Sequence, residues 1–197
     1  MKYISVVLLV ISFCVAGEAQ SNLFGLTYDV SVPLSDTKEA FDSGAQWRGM
    51  GLEGRWYLNK SASLGFAWDW NVFHQVVLKT AEFNYGAATG YQNRTLNAFP
   101  VLMTGHYYLK GSSAVQPYLG LGAGVYYVKR KFNLGILSVD NDAWQFGFAP
   151  EVGLLFPMEP GFNLLFKLRY HYGFESGDNK AVSYLGISVG FASVSLW

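Results

Sequence analysis

The chain has 197 residues, with 14 Lys or Arg against 14 Asp or Glu, and a balanced charge of this kind removes the electrostatic case for nucleic acid as a partner. Charged residues make up 14% of it, against about 25% in an ordinary soluble domain, while aromatic residues reach 17%. Its one cysteine, Cys14, sits near the N-terminus, so everything after it lacks a thiol for disulfides, zinc ligation or nucleophilic catalysis.

The first residues, MKYISVVLLVISFCVAGEAQ, carry a lone lysine, an apolar run from Tyr3 to Ala16 and small residues at Gly17 and Ala19, the pattern of an export signal cut before Gln20. We expect residues 1–19 to be this signal and residues 20–197 to form one domain. The apolar run is shorter than the roughly 20 residues a membrane-spanning helix needs. Phe13 stands before Cys14, where a lipid-attachment motif wants a small side chain.

Turn signals then divide the chain into eight segments whose apolar residues recur with period two, the spacing of a β-strand with two unlike faces. The first, Leu23 to Val32, sets Phe24, Leu26, Tyr28 and Val30 against Gly25, Thr27, Asp29 and Ser31. Segment two, Trp47 to Leu58, sets Met50, Leu52 and Trp56 against Gly51, Glu53 and Arg55. In segment three, Ala62 to Val77, Leu64, Phe66, Trp68 and Trp70 alternate with Ser63, Gly65, Ala67 and Asp69. Segment four, Thr95 to Leu109, contains Pro100, which cannot donate to a ladder and predicts a bulge or bend. Segment five holds PYLGLGAGVYY, and segment six, Trp144 to Phe156, opposes Phe146, Phe148 and Val152 to Gly147, Ala149 and Glu151. Segment seven, NLLFKLRYHYGF, places Asn163, Lys167, Arg169 and His171 on one face and Leu164, Phe166, Leu168 and Tyr170 on the other. Segment eight runs from Val182 to Trp197. Short connections follow segments two, four and six, and mostly longer, more polar ones follow one, three, five and seven, as in an up-and-down barrel crossing an outer membrane.

The bulky set decides which face is outside. An eight-stranded barrel has an interior just wide enough for side chains or one small ligand, and Trp56, Trp68, Trp70, Trp144, Phe66, Phe146, Phe148, Phe162, Phe166 and Phe191, with many leucines, do not fit there. Turned outward they meet lipid, and the small and charged set lines the lumen. The expected fold is therefore all-β, an eight-stranded antiparallel up-and-down transmembrane β-barrel. A basic residue facing lipid at mid-depth costs about 2–4 kcal/mol, so Lys167 and Arg169 fix the register of segment seven. Segment eight must pair with segment one, since an open edge in lipid leaves backbone groups unsatisfied.

The lumen charges are expected to form a paired plug: Asp29, Glu53, Asp69 and Glu151 with Arg55, Lys167 and Arg169, and His106 and His171 nearby. The glycines of LGLGAG, residues 119–124, lack the strand-to-helix context of a phosphate loop and relieve crowding instead. Lys129, Arg130 and Lys131 form the one basic cluster, at the loop end of segment five, and are candidates for contact with lipopolysaccharide phosphates or a solvated loop foot. Trp47, Tyr127, Trp144, Tyr170 and Tyr172 are expected in aromatic girdles at the membrane interfaces. The histidines have no metal-ligand spacing, and no cofactor is expected.

With the export signal, the eight alternating segments and the final VSYLGISVGFASVSLW in view, the mature chain resembles the small outer-membrane β-barrel proteins of Gram-negative bacteria, the OmpA-, OmpX- and OmpW-type barrels. Members end in an aromatic residue preceded by alternating apolar ones, a signal read by the barrel-insertion machinery; Trp197 and Phe191 fit, and Ser193 and Ser195 depart from it. In the lipid A deacylases of this group a histidine precedes a serine nucleophile by two positions, whereas here His171 is followed by Gly173, His106 by Tyr108 and His74 by Val76. The resemblance implies a monomer in the bacterial outer membrane, in contact with lipid and lipopolysaccharide, with a non-enzymatic structural or surface-interaction role. The alternatives are an OmpW-like passage for small hydrophobic molecules and, third, a lipid A-modifying enzyme. No residues remain after the last segment for a peptidoglycan-binding domain.

Overall fold

In a computed structural model, residues 22–41, 44–83, 86–112, 114–134, 137–159, 161–177 and 179–195 are described. The expected signal at 1–19, Cys14 and the terminal Trp197 lie outside these residues. Eight strands form a closed barrel in sequence order: β1 (Asn22–Pro33), β2 (Gly49–Asn59), β3 (Ala62–Phe83), β4 (Gly86–Tyr108), β5 (Gln116–Leu134), β6 (Leu137–Glu159), β7 (Phe162–Gly173) and β8 (Val182–Ser195). Every neighbouring pair is antiparallel, and β8 closes on β1 from Asn22↔Ser195 to Pro33↔Tyr184. The polarity is inside out. Phe24, Trp56, Phe66, Met103, Phe146 and Phe191 are exposed on the outer wall, while Asp29, Glu53, Arg55, Lys167 and Arg169 are buried within.

The strands are unequal. β1, β2, β7 and β8 have 12, 11, 12 and 14 residues, close to the roughly 9–11 that cross a bilayer with a tilt. β3, β4, β5 and β6 have 22, 23, 19 and 23. Pairing of β3 with β2 ends at Gly49↔Asn71, and pairing of β6 with β7 ends at Gly147↔Gly173. The ladders of β3–β4, β4–β5 and β5–β6 run on to Phe83↔Gly86, Gln92↔Leu134 and Leu134↔Leu137. A four-stranded sheet thus stands clear of the barrel on one side of its rim. This corrects the expectation of long irregular loops after segments three and five: both are continuations of the strands, joined across residues 84–85 and 135–136. Segment two also starts two residues later than expected, leaving Trp47 in the connection.

Pro100 does not bulge its strand either. β4 pairs with β5 through Pro100↔Tyr126 without a break, and with β3 it skips from Trp68↔Val101 to Asn71↔Ala98 in unchanged register. Pro150 in β6 repeats the arrangement, paired to Leu121 of β5 while the β6–β7 ladder skips from Phe148↔Tyr172 to Glu151↔Arg169. Each proline, having no N–H, keeps one neighbour and opens a gap toward the other. The register shifts in the barrel occur instead at Tyr57/Asn59 and Pro157/Glu159, beside the tight turns.

The β1–β2 connection carries the short helix α1 (Ser35–Ala40), which folds over the mouth on the loop side. It is tied to the start of β8: the Ser183 N–H donates to Thr37 Oγ1 at 2.9 Å, Ser183 Oγ donates to the Leu34 carbonyl at 2.7 Å, and the Leu34 N–H donates to the Ser183 carbonyl at 3.0 Å.

Candidate functional site

The lumen is built in three layers. At the turn side Leu23, Tyr108, Tyr118, Leu155, Leu165 and Ala192 pack together. At the loop side a larger cluster includes Phe41, Phe73, Leu96, Leu102, Tyr126, Val128, Val182 and Tyr184. The charged groups lie between the two. Large apolar side chains therefore do enter the lumen, which corrects the expectation that it is lined by small and polar residues alone. Phe73 and Leu96 are the inward members of β3 and β4, and Phe41 arrives from the segment after α1. Phe73 sits two positions after Asn71, so the period of two contained it; the inward turn of Phe41 has no counterpart in periodicity.

Within the middle layer Glu53, Glu151 and Asp69 are matched by Arg55, Lys167 and Arg169. Arg55 lies 2.7 Å from Glu53 Oε1 and 3.7 Å from Glu151 Oε1. Lys167 Nζ donates to Glu53 Oε2 at 2.8 Å. Arg169 is the hub: its Nε donates to Glu151 Oε2 at 2.5 Å, its Nη2 contacts the same oxygen, and its Nη1 donates to Asp69 Oδ2 at 2.8 Å. All of these side chains are at most 2% exposed. Pairs this deep repay their desolvation only when their remaining donors and acceptors are also occupied. Arg55 meets part of that condition through Tyr118, whose hydroxyl accepts at 2.7 Å and whose ring lies 4.2 Å from the guanidinium carbon, and through the Tyr108 hydroxyl at 3.3 Å, while its Nε is buried without a hydrogen-bond partner.

The histidines complete the packing. His171 stacks on Tyr184 with ring centroids 4.4 Å apart, and its Nδ1 is 3.2 Å from the Tyr126 hydroxyl. His106 Nε2 lies 2.9 Å from Glu151 Oε1, and its Nδ1 is 3.3 Å from Ser63 Oγ. Serine, histidine and carboxylate thus line up in the order a hydrolytic triad uses. Ser63 is nevertheless 2% exposed, its hydroxyl is also within 3.1 Å of Tyr108, and Glu151 is already held by Arg169. Ser63 reaches His106 from the neighbouring strand β3, so a motif two positions beyond the histidine does not contain it.

The basic cluster is split by strand alternation. Lys129 and Lys131 lie opposite Asp142 and Asp140 of β6, and Lys131 Nζ is 3.4 Å from Asp140. Arg130 points to the inner side, where it donates to Asn179 Oδ1 at 3.1 Å and to the Lys180 carbonyl at 2.8 Å. It lines a pocket of about 230 Å³ at the mouth, together with Asp36, Thr37, Leu96, Asn141 and Lys180. Four of the five expected girdle residues gather on the loop-side half of the outer wall: Tyr127 and Trp144 are cross-strand partners with rings 5.0 Å apart, and Tyr170 stacks on Tyr172; Trp47 is exposed in the β1–β2 connection, its carbonyl accepting from the Tyr28 hydroxyl. An apolar groove of about 630 Å³ on the same wall runs among Leu119, Val152, Leu154, Phe166 and Ile187.

A family model described as outer membrane protein beta-barrel domain matches residues 5–192. The chain belongs to this family. Membership implies an outer-membrane location for the barrel. Among solved structures, Neisserial surface protein A (NspA) is 16% identical with a TM-score of 0.54, over 88% of this chain and 96% of that one. The outer membrane protein OprG from Pseudomonas aeruginosa is 16% identical with a TM-score of 0.54, over 91% and 97%. The attachment invasion locus protein Ail of Yersinia pestis, determined in complex with the heparin analogue sucrose octasulfate, is 17% identical with a TM-score of 0.50, over 91% and 100%. These likenesses establish a shared fold. A search of curated protein sequences gives no significant match.

Proposed function

We propose that this outer-membrane barrel is a non-enzymatic surface-interaction protein, a plugged monomeric anchor that holds a four-stranded sheet above the membrane. The observation that carries the reading is the continuation of β3 to β6 about ten residues beyond the length a bilayer requires, with backbone edges from Val76 on β3 and before Phe146 on β6; nearer the barrel the edges are covered, the Val72 N–H donating to the Arg48 carbonyl, the His74 N–H to Gln46 Oε1 and the Phe174 N–H to the Phe146 carbonyl. Such edges present unpaired N–H and C=O groups, and a strand of another protein pairs with them readily. The sheet is on the loop side, which we place outside the cell. Lys129 and Lys131, on its outward face just beyond Tyr127, are positioned for phosphate groups of the surrounding lipopolysaccharide. NspA is called a surface protein and Ail an attachment invasion locus protein, names that favour the same class of role.

The test is a variant with residues 75–94 and 129–142 replaced by short turns at the paired positions, which removes most of the raised sheet and leaves the barrel. Binding of whole cells to host-surface or bacterial-surface ligands should fall to background while the protein still inserts. Unchanged binding would sink the reading.

A second reading, passage for small hydrophobic molecules, is favoured by the ladder gaps at Pro100 and Pro150. Both lie beside the loop-side apolar cluster through Leu102 and Ala149. Uptake of a hydrophobic dye into vesicles, faster with the protein than without it, would support this reading over the first.

A further inference from the structure

Among the carboxylates of the middle layer, Asp29 alone makes no ion pair among the described residues, although it is 3% exposed. Its Oδ1 accepts a hydrogen bond from Thr27 Oγ1 at 2.9 Å. Across the lumen face of β2, Asp69 gives Oδ2 to Arg169, and its Oδ1 is buried with no hydrogen-bond partner. Both carboxylates converge on Gly51. A Cβ built on that glycine would lie 2.5 Å from Asp69 Oδ1, 2.6 Å from Thr27 Oγ1 and 3.0 Å from Asp29 Oδ2. On Gly49, the preceding inward residue, the same construction meets the Asp29 carbonyl at 2.7 Å and Asn71 Oδ1 at 2.8 Å. Five of the six atoms nearest to the two built positions are oxygens, and the sixth is the Asp29 Cβ.

Two buried carboxylates that face each other over a glycine repel unless something positive lies between them, and a buried charge left alone costs several kcal/mol. Across the layer the four carboxylates Asp29, Glu53, Asp69 and Glu151 face the three bases Arg55, Lys167 and Arg169, which leaves one negative charge over, at Asp29, the carboxylate without an ion pair among the described residues. We propose that this charge is compensated by a small monovalent cation of the sodium or potassium type, bound by Asp29 Oδ2, Asp69 Oδ1 and Thr27 Oγ1. The all-oxygen donor set selects a hard cation. The single uncompensated charge and the neighbouring Arg169 and Lys167 disfavour a divalent one. Among the described residues no group of three or more His, Cys, Asp or Glu is arranged to hold a metal ion, and the site has two carboxylates only. The ion ties β1 to β3 across Gly49 and Gly51 of β2, where the wall has no side chains.

Because a ligand that binds only the folded state raises stability with its concentration, the ion is read in thermal unfolding. The full-length protein in uncharged micelles is compared in sodium chloride and choline chloride at equal ionic strength, alongside Asp29→Asn, whose amide donates to Asp69 Oδ1 without needing an ion. The wild-type midpoint rises with sodium and saturates; that of D29N is the same in both salts. A wild-type midpoint indifferent to sodium, or an equal sodium response in D29N, overturns the proposal. Should D29N fail to fold, crystals of the wild-type protein soaked in thallium(I) decide: an anomalous peak within coordination distance of Asp29 and Asp69 supports the site, and its absence refutes it.

Discussion

His106 reaches Glu151 across an intervening strand: its Nε2 lies 2.9 Å from Oε1, and Gly120 of β5 is the ladder partner of both residues. A Cβ on Gly120 would sit 2.6 Å from Glu151 Cγ and 2.8 Å from His106 Cδ2, so the contact exists because that position has no side chain. Gly120→Val should therefore force the two apart. We expect a loss of about 1–3 kcal/mol, typical of overpacking, in urea unfolding from lipid vesicles. A neutral result would mean the lumen is looser than these distances require.

Arg169→Met removes the donor that holds both Glu151 and Asp69. Breaking one side of a buried pair costs about 3–5 kcal/mol, and the same experiment should register a loss of that order. Because the apolar layers above and below remain, single-channel recordings of the variant should still show no persistent open level. A steady conductance would identify the salt-bridged layer, rather than the apolar clusters, as the seal.

Phe73→Ala and Phe41→Ala both thin the loop-side cluster, but from different supports. Phe73 is fixed in β3, so its removal leaves a cavity and should cost about 3–5 kcal/mol. Phe41 hangs from the connection after α1, which is free to follow the collapse, so its loss should be the smaller of the two by unfolding midpoint. The reverse order would mean that the mouth segment is as rigid as the wall.

Ser63, for all its alignment with His106 and Glu151, should not react. A fluorophosphonate probe is expected to leave the purified protein unlabelled, and Ser63→Ala should cost about 1 kcal/mol, the worth of an ordinary hydrogen bond. Labelling that disappears in the S63A variant would revive the enzymatic alternative.

The outer wall offers the complementary test. Leu168 faces lipid between Lys167 and Arg169, which face inward. Leu168→Arg should lower folding stability by about 2–4 kcal/mol in vesicles, against almost no effect of an Ala substitution at the exposed Lys131.

The period of two made every membrane-spanning strand legible, because lipid outside and a crowded lumen inside impose opposite demands on alternate residues. The same contrast explains what was missed. Beyond the barrel the extensions of β3, β4, β5 and β6 lack the contrast of lipid on one face and a crowded lumen on the other, so stretches such as residues 90–94 and 129–142 lose the strong alternation and read as loops. Parity also assigns Asp69, Glu151 and Arg169 to the lumen without saying which meets which, since partners such as Asp69 and Arg169 come from strands that are not neighbours. Phe41 was invisible for a related reason: a connection carries no period, and only the closed mouth reveals that its ring is captured.

The rim is lopsided, with four strands rising on one half of the circumference and the other half stopping near the bilayer. Seen from above, the molecule therefore has a front and a back. A partner docking on the raised half would be approached from the side, so rotation of the barrel about its axis would change what it meets. Neighbouring copies in a crowded membrane would interfere with one another according to how they are turned, a directional property that a symmetric crown of loops would lack.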